Sequence, residues 1–199
     1  SLSLLQRAQA NDGLAWRHLV QIYSPLVFYW ARRGGLNDAD AADLVQEVWT
    51  SVSTALARFD REAATSTFRG WLWTITRNKL HDHYRKNQSA PVASGGTEAR
   101  QLFENLPNEE PNDDTGVQER GLLHRALDLI RPEFEERTWQ AFWAMAVEGK
   151  TAAEVGTPLG MAANAVHQAK FRVLRRLREA MAGLMPIDIA EESSPPALA

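Results

Sequence analysis

Apolar residues recur at helical spacing along most of the chain, and no stretch alternates with the two-residue period of a β-strand. The first apolar series extends over residues 4–30, and a pair of glycines ends it shortly afterwards. Asn37 or Asp38 can cap a second helix, which we predict over residues 39–58. After a short loop, Thr67 begins a third helix. The pattern therefore predicts a helical bundle in the N-terminal half.

A polar stretch separates this bundle from a second set of helices. It carries three prolines and two glycines among acidic residues, and it lacks the apolar content to fold alone. The sequence predicts an all-α fold of two small helical domains, an N-terminal helical bundle and a C-terminal helix-turn-helix domain, joined by a flexible acidic linker. The predicted linker covers residues 88–114, helices follow at 117–130, 133–147, 151–155 and 162–181, and a disordered tail is expected at 183–199.

The formal net charge of −3 conceals an uneven distribution of charge. With histidine neutral, residues 61–88 carry a net charge of +4, residues 89–119 carry −6, and residues 161–182 carry +4. Two basic blocks therefore flank an acidic connector, a pattern that concentrates positive potential on particular helices.

The absence of cysteine excludes disulfides, thiolate zinc sites and cysteine nucleophiles. No apolar run approaches the roughly 20 residues of a membrane span. Residues 1–7 do not resemble a signal peptide. We therefore expect a cytoplasmic protein that does not bind membranes.

Residues 151–178 have the spacing of a helix-turn-helix, with a short helix, a turn near Gly160 and a longer basic helix. Gly156 and Pro158 are expected to interrupt the first helix, and Ala162 stands where a capping Ser or Thr would be usual. The outward arc of the second helix could read base edges and phosphates in a major groove, or it could be a solvated amphipathic face. That arc contains Asn164, His167, Gln168, Lys170, Phe171, Arg172, Arg175 and Arg176.

The segment FRGWLWTITRNKLHDHYRK, residues 68–86, combines aromatic and basic side chains on one predicted helix. Phe68, Leu72 and Ile75 repeat at helical spacing, and with Trp71 they are predicted to lie in the core. Trp73 lies off that stripe and is expected to be a partly exposed platform. Aromatic and cationic groups together suit unstacked, single-stranded DNA. The polar residues of this helix are Arg69, Arg77, Asn78, Lys79, Asp82, Arg85 and Lys86.

His81, Asp82 and His83 raise the possibility of a metal-dependent nuclease. Helical neighbours at i and i+2 point in different directions, so the two histidines cannot converge on one ion. No other cluster has the spacing of metal ligands, so we predict no metal site, no cofactor and no catalytic residue.

Three motifs, taken in their order along the chain, resemble those of a known protein family. DADAADLVQEVW at residues 38–49, FRGWLWTITRNKLHDHYRK and the helix-turn-helix ending AVHQAKFRVLRRLRE resemble signatures of bacterial extracytoplasmic-function (ECF) sigma factors. The resemblance covers residues 4–178 apart from the linker. It implies a promoter-specificity subunit, not an enzyme, that binds core RNA polymerase, recognises the −10 and −35 promoter elements and assists DNA melting.

The resemblance also assigns candidate residues. Asp43, Gln46 and Glu47 match the motif that binds core polymerase. The loop at residues 59–67 resembles one that captures a flipped base of the −10 element. The implied −10 contacts are Arg61, Arg69, Trp73, Arg77, Asn78, Asp82 and Arg85. The implied −35 contacts are Asn164, His167, Gln168, Lys170, Phe171, Arg172 and Arg175.

The resemblance divides the chain into sigma region 2 at residues 1–87, a linker at 88–114, sigma region 4 at 115–182 and a tail at 183–199. It implies core RNA polymerase and promoter DNA as partners, and a monomer when free. An anti-sigma factor is a further partner in this family, which the sequence neither requires nor excludes. A stand-alone helix-turn-helix regulator that dimerises on a palindromic operator stays open as an alternative.

Overall fold

The computed structural model describes residues 2–60, 67–88, 107–108, 111 and 115–185. These residues form α-helices and two short 3₁₀ turns, and no strand occurs among them, so the all-α prediction is confirmed. The predicted linker and tail lie almost entirely outside the described residues. The α-helices are α1 (Leu4–Gln9), α2 (Gly13–Arg33), α3 (Asp38–Ala55), α4 (Phe68–Gln88), α5 (Thr115–Ile130), α6 (Glu136–Ala146), α7 (Ala152–Leu159) and α8 (Ala163–Met181).

The first apolar series forms two helices rather than one. Asn11 adopts a left-handed backbone conformation with φ of 61°, and Asp12 then caps α2. The Asp12 carboxylate accepts hydrogen bonds from the backbone N–H groups of Leu14 and Ala15, and it lies 2.6 Å from the Arg7 guanidinium. The bond from Ala15, together with Arg7, lowers the pKa of Asp12. The cap stays ionised and favours the start of α2.

Helices α2, α3 and α4 pack together as the N-terminal bundle. Asn37 caps α3 as predicted, because its side-chain oxygen accepts a hydrogen bond from the N–H of Asp40 at 2.9 Å. Near the end of α4, the Tyr84 hydroxyl donates to the Gly34 carbonyl at 2.6 Å. This bond ties the C-terminal turns of α4 to the end of α2.

In the C-terminal half, α6 packs against both α7 and α8. Trp139 and Phe142 bury their rings in the hydrophobic core from α6. The expectation that Gly156 and Pro158 would interrupt the helix before the turn is wrong, since α7 continues through both residues. Pro158 has no N–H to donate to the Glu154 carbonyl, and the helix ends one residue later, at Leu159.

The two halves share one hydrophobic cluster. It contains Leu4, Leu19 and Tyr23 from α1 and α2, and also Leu122 and Met181 from the C-terminal half. The principal contacts between the halves join α2 to α5 and α1 to α8.

Candidate functional site

Helix α3 presents an acidic, polar face to solvent. Its opposite side buries Leu44, Val48 and Trp49, and the Trp49 indole N–H donates to the Ser24 hydroxyl at 2.9 Å. That bond and the apolar packing fix the rotation of the helix. The three residues predicted to bind polymerase are therefore held together on the exposed side: Asp43, Gln46 and Glu47.

Helix α4 is rotated relative to the sequence prediction. Its buried stripe runs through Phe68, Leu72, Trp73, Thr76 and Leu80. The expectation of a partly exposed Trp73 is therefore wrong: the side chain is 1% exposed, and its ring centroid lies 5.3 Å from that of Trp30.

The cause of this error is Thr76. Its side chain is polar and lies off the apolar pattern, yet the Thr76 hydroxyl is satisfied within the helix by donating to the Leu72 carbonyl at 2.8 Å. A threonine that bonds its own helix can lie in an apolar core with little penalty. The apolar stripe of α4 is thus continued by a threonine where the sequence suggested an isoleucine.

The same rotation brings Trp71 towards the surface. Trp71 was predicted as core, but it is only half-buried, with its ring centroid 4.8 Å from that of Phe59. It shares one side of α4 with Asn78, Asp82 and Arg85, at spacings of seven, eleven and fourteen residues. Trp71 is the residue that sequence reasoning missed on this face, because the polarity of Thr76 concealed the buried side of the helix.

The remaining predicted −10 residues lie on a different flank of α4. The Arg69 side chain is 12% exposed and pairs with Glu119 of α5 at 3.6 Å. Arg77 is half-buried, and its Nε atom has no hydrogen-bond partner among the described residues. Arg61 and most of the predicted base-capture loop lie outside the described residues. Of the predicted −10 residues that the structure describes, it therefore brings together Asn78, Asp82 and Arg85 on one side of α4.

The turn between α7 and α8 depends on two glycines. Gly160 ends α7 in the left-handed conformation with φ of 59°, as the sequence predicted. The N–H of Met161 donates to the Gly156 carbonyl at 2.8 Å. A Cβ atom at Gly156 would lie 2.4 Å from the Met161 carbonyl oxygen, so the chain can turn this closely only at a glycine.

Helix α8 buries one side and exposes the predicted DNA-reading arc. Val166, Ala169, Val173 and Leu177 are buried, which turns the opposite side towards solvent. Lys170 is half-buried, whereas the other six predicted −35 residues are exposed: Asn164, His167, Gln168, Phe171, Arg172 and Arg175.

Phe171 and Arg176 of this arc each contact a charged side chain. Phe171 is 59% exposed, an unusual position for a large apolar ring, and the Arg175 guanidinium lies 5.9 Å from its centroid. Arg176 turns away from the arc and makes two hydrogen bonds to the Glu133 carboxylate, at 2.6 and 2.7 Å. Arg176 therefore holds α8 against the 3₁₀ turn that precedes α6.

The histidines of α4 do not form a metal site. Within the described part of the chain, no group of three or more His, Asp or Glu side chains is placed to hold a metal ion. Burial, and then the charge of Arg77, lower the pKa of His81, which favours the neutral ring. No helix in the described ranges is both long and apolar enough to span a membrane.

Comparison with known proteins gives these surfaces a context. The family model for Sigma-70 region 2 matches residues 19–90, from α2 to just beyond the end of α4. The ECF RNA polymerase sigma factor ShbA of Streptomyces griseus is 32% identical over 185 residues, covering 88% of this chain and 92% of ShbA. This chain belongs to the ECF RNA polymerase sigma factors.

Two further proteins have lower sequence identity to this ECF sigma factor. SigE of Mycolicibacterium smegmatis is 28% identical over 171 residues, which cover 84% of this chain and 62% of SigE. The chain thus spans less than two thirds of the length of that relative. A solved RsbN–BldN complex contains a chain that is 20% identical with a TM-score of 0.37, covering 87% of this chain and 96% of that one.

Proposed function

We propose that this ECF sigma factor is a promoter-specificity subunit that binds core bacterial RNA polymerase, recognises −35 and −10 elements and assists DNA melting. The observation that supports this proposal best is the separation of three exposed polar faces. An acidic face lies on α3, an aromatic and polar face lies on α4, and a basic face lies on α8. A protein that joins polymerase to two promoter elements needs three such faces.

The roles of the halves follow from these faces. Region 2, residues 1–87, would bind polymerase through Asp43, Gln46 and Glu47 and would read the −10 element from α4. Region 4, residues 115–182, would read the −35 element from α8. Residues 88–114 would link the two regions, and residues 183–199 would form the tail.

The rotation of α4 changes the proposed −10 contacts. We place Trp71 beside Asn78, Asp82 and Arg85 in the DNA-facing set, and we give Trp73 a structural role. Unstacking one base costs a few kcal/mol. Stacking on an exposed aromatic ring returns about 1–3 kcal/mol. A partly exposed tryptophan therefore suits the melting step, whereas a buried one cannot reach a base.

None of these steps requires the chain to make or break a covalent bond, so we propose no enzymatic activity and no cofactor. Acting with polymerase on promoters would place the protein in the cytoplasm, and it would be a monomer when free. An anti-sigma factor as a partner stays a prediction from the family resemblance.

Transcription in vitro tests the proposed function. Purified core polymerase, the chain and genomic DNA fragments should give start sites that are absent without the chain and that share two upstream motifs. On such a promoter, Lys170→Ala and Arg172→Ala should each reduce transcript yield about tenfold, because a good base or phosphate contact contributes roughly 1–3 kcal/mol. Core binding should be unchanged.

The matched control is Arg120→Ala, which removes the same charge from an exposed position on α5. It should transcribe like the wild type. A chain that gives no new start sites, but binds a palindromic site as a dimer without polymerase, would instead be a stand-alone regulator.

A further inference from the structure

One side chain of α1 reaches the backbone beside the proposed −10 surface. The Gln9 amide donates from Nε2 to the Leu56 carbonyl at 3.1 Å and to the Phe59 carbonyl at 2.7 Å. A side-chain amide has two N–H donors, and both are used here. Because both partners are carbonyl oxygens, only the nitrogen end of the amide can face them. Gln9 therefore acts in this contact as a double donor.

These hydrogen bonds fix a residue that lies outside the helices. Phe59 follows the 3₁₀ turn at Leu56–Arg58, and its φ of −70° and ψ of 113° place it in the extended region. The Phe59 N–H donates to the Leu56 carbonyl at 3.1 Å. Gln9 holds the Phe59 carbonyl, which an extended residue cannot offer to a helical partner. The backbone of Phe59 is therefore hydrogen bonded on both sides of its side chain.

The ring of Phe59 in turn supports Trp71. The two ring centroids are 4.8 Å apart, with 40° between the ring planes. Phe68 completes a group of three rings, with its centroid 5.7 Å from each of the other two. Phe68 and Trp71 both belong to α4, so Phe59 is the ring of this group that comes from another part of the bundle. Phe59 is buried, and it backs a Trp71 that is partly exposed.

The helix that carries Gln9 is itself firmly packed. Gln9 is the last residue of α1, and Leu5 and Ala8 on the same helix are buried. The two hydrogen bonds of Gln9 join residues 47 and 50 positions apart, so they are tertiary contacts and not part of a local turn. A change at Gln9 is therefore transmitted to Phe59 and not absorbed by a mobile anchor.

Resting on the proposed function, we propose that Gln9 is a positioning residue for −10 recognition. Gln9 fixes the backbone of Phe59, and the Phe59 ring sets the orientation of the Trp71 indole that stacks on an unpaired base. Helix α1 thus contributes to promoter melting without contacting DNA itself.

Gln9→Glu tests this role with almost no change in side-chain size. The ionised carboxylate has no N–H to donate, and it places negative oxygen atoms beside two carbonyl oxygens. We expect open-complex formation, measured as permanganate reactivity of −10 thymines, to fall about three- to tenfold, as the loss of one or two modest hydrogen bonds allows. Core binding should be unchanged. Gln21→Glu makes the same change at an exposed position of α2 and should behave like the wild type.

A double-mutant cycle separates positioning from a general loss of stability. If Gln9 acts through the Trp71 ring, Gln9→Glu should reduce open complexes less than about twofold further in a Trp71→Ala background. A contact that only stabilised the fold would reduce open complexes by the same factor in both backgrounds. Equal factors would overturn the proposal.

A second measurement uses the free protein and needs no polymerase. The indole N–H resonance of Trp71, assigned by its loss in Trp71→Phe, should shift in Gln9→Glu and stay in place in Gln21→Glu. Should Gln9→Glu fail to fold, Gln9→Met fills a similar volume without a donor and takes its place. An unshifted Trp71 resonance would overturn the proposal. A wild-type chain that forms no open complexes, while this resonance shifts as expected, would count against the proposed function and not against the link from Gln9 to Trp71.

Discussion

Replacing Trp73 by alanine is expected to lower the free energy of unfolding by about 3–5 kcal/mol. The indole is 1% exposed and packs edge-on against Trp30, so its removal leaves a cavity where α2 and α4 meet. A natural domain has only about 5–15 kcal/mol of stability, and this substitution would remove a large share of it. Urea denaturation followed by circular dichroism measures the change.

Trp71→Ala is the matched comparison, because it removes the same side chain two residues away on the same helix. Trp71 is half-buried, so we expect a loss of less than about 2 kcal/mol in stability. At a temperature where both variants are folded, Trp71→Ala should show the greater loss of open-complex formation. If Trp71→Ala unfolds the protein while Trp73→Ala is stable, the rotation assigned to α4 is wrong.

Replacing Gly156 by alanine is expected to disrupt the turn between α7 and α8. The new Cβ atom would lie 2.4 Å from the backbone oxygen of Met161, and backbone cannot move aside as a flexible side chain can. The hydrogen bond from Met161 N–H to the Gly156 carbonyl would be strained or lost. We expect the free energy of unfolding to fall by at least about 1–3 kcal/mol.

The effect on function should exceed the effect on stability. Because α8 follows the turn directly, a shifted turn would misplace Asn164, His167 and Gln168 together relative to the −35 element. Transcription from a promoter that depends on its −35 element should therefore fall more than tenfold, with core binding intact.

Gly116→Ala provides the control for a glycine-to-alanine change within a helix. A Cβ atom at Gly116, on α5, would have no neighbour within 4 Å. We expect this variant to be neutral, or stabilised by up to about 1 kcal/mol, since alanine restricts the unfolded chain. A Gly156→Ala protein with the stability and transcription of Gly116→Ala would contradict the role given to the turn.

Three helix ends could be predicted because they depend on local chemistry. Asn37 caps α3 with its own side chain, and Thr67 accepts a hydrogen bond from the N–H of Gly70 at 3.1 Å. Gly160 supplies the left-handed residue after α7. Each of these interactions involves residues within a few positions of one another, so the sequence contains the whole signal.

The orientation of α4 could not be predicted by counting apolar residues. Ile75 and Thr76 are adjacent, and the choice of the buried one depends on how α4 meets α2 and α3. Thr76 satisfies its hydroxyl within the helix and is buried, whereas Ile75 is only half-buried. Because Thr76 rather than Ile75 is buried, Trp73 lies in the core and Trp71 lies near the surface, which is the reverse of the prediction.

The docking of the two halves has no signal in the helical pattern. The bond from Tyr23 to Leu184 joins residues 161 positions apart, and that from Arg125 to Ile22 joins residues 103 apart. Periodicity shows that a helix has an apolar side, but not which partner covers that side. The shared hydrophobic cluster therefore emerges only from the structure.

Gel filtration with core RNA polymerase tests the central claim most directly. The wild-type chain should co-elute with core, and Asp43→Arg with Glu47→Arg should abolish co-elution, because two exposed acids on α3 become bases. Asp128→Arg with Glu135→Arg makes the same change in charge at exposed positions of the C-terminal half and should co-elute normally. If the wild type fails to co-elute, or if both double variants co-elute equally, the α3 face does not bind polymerase and the account is contradicted.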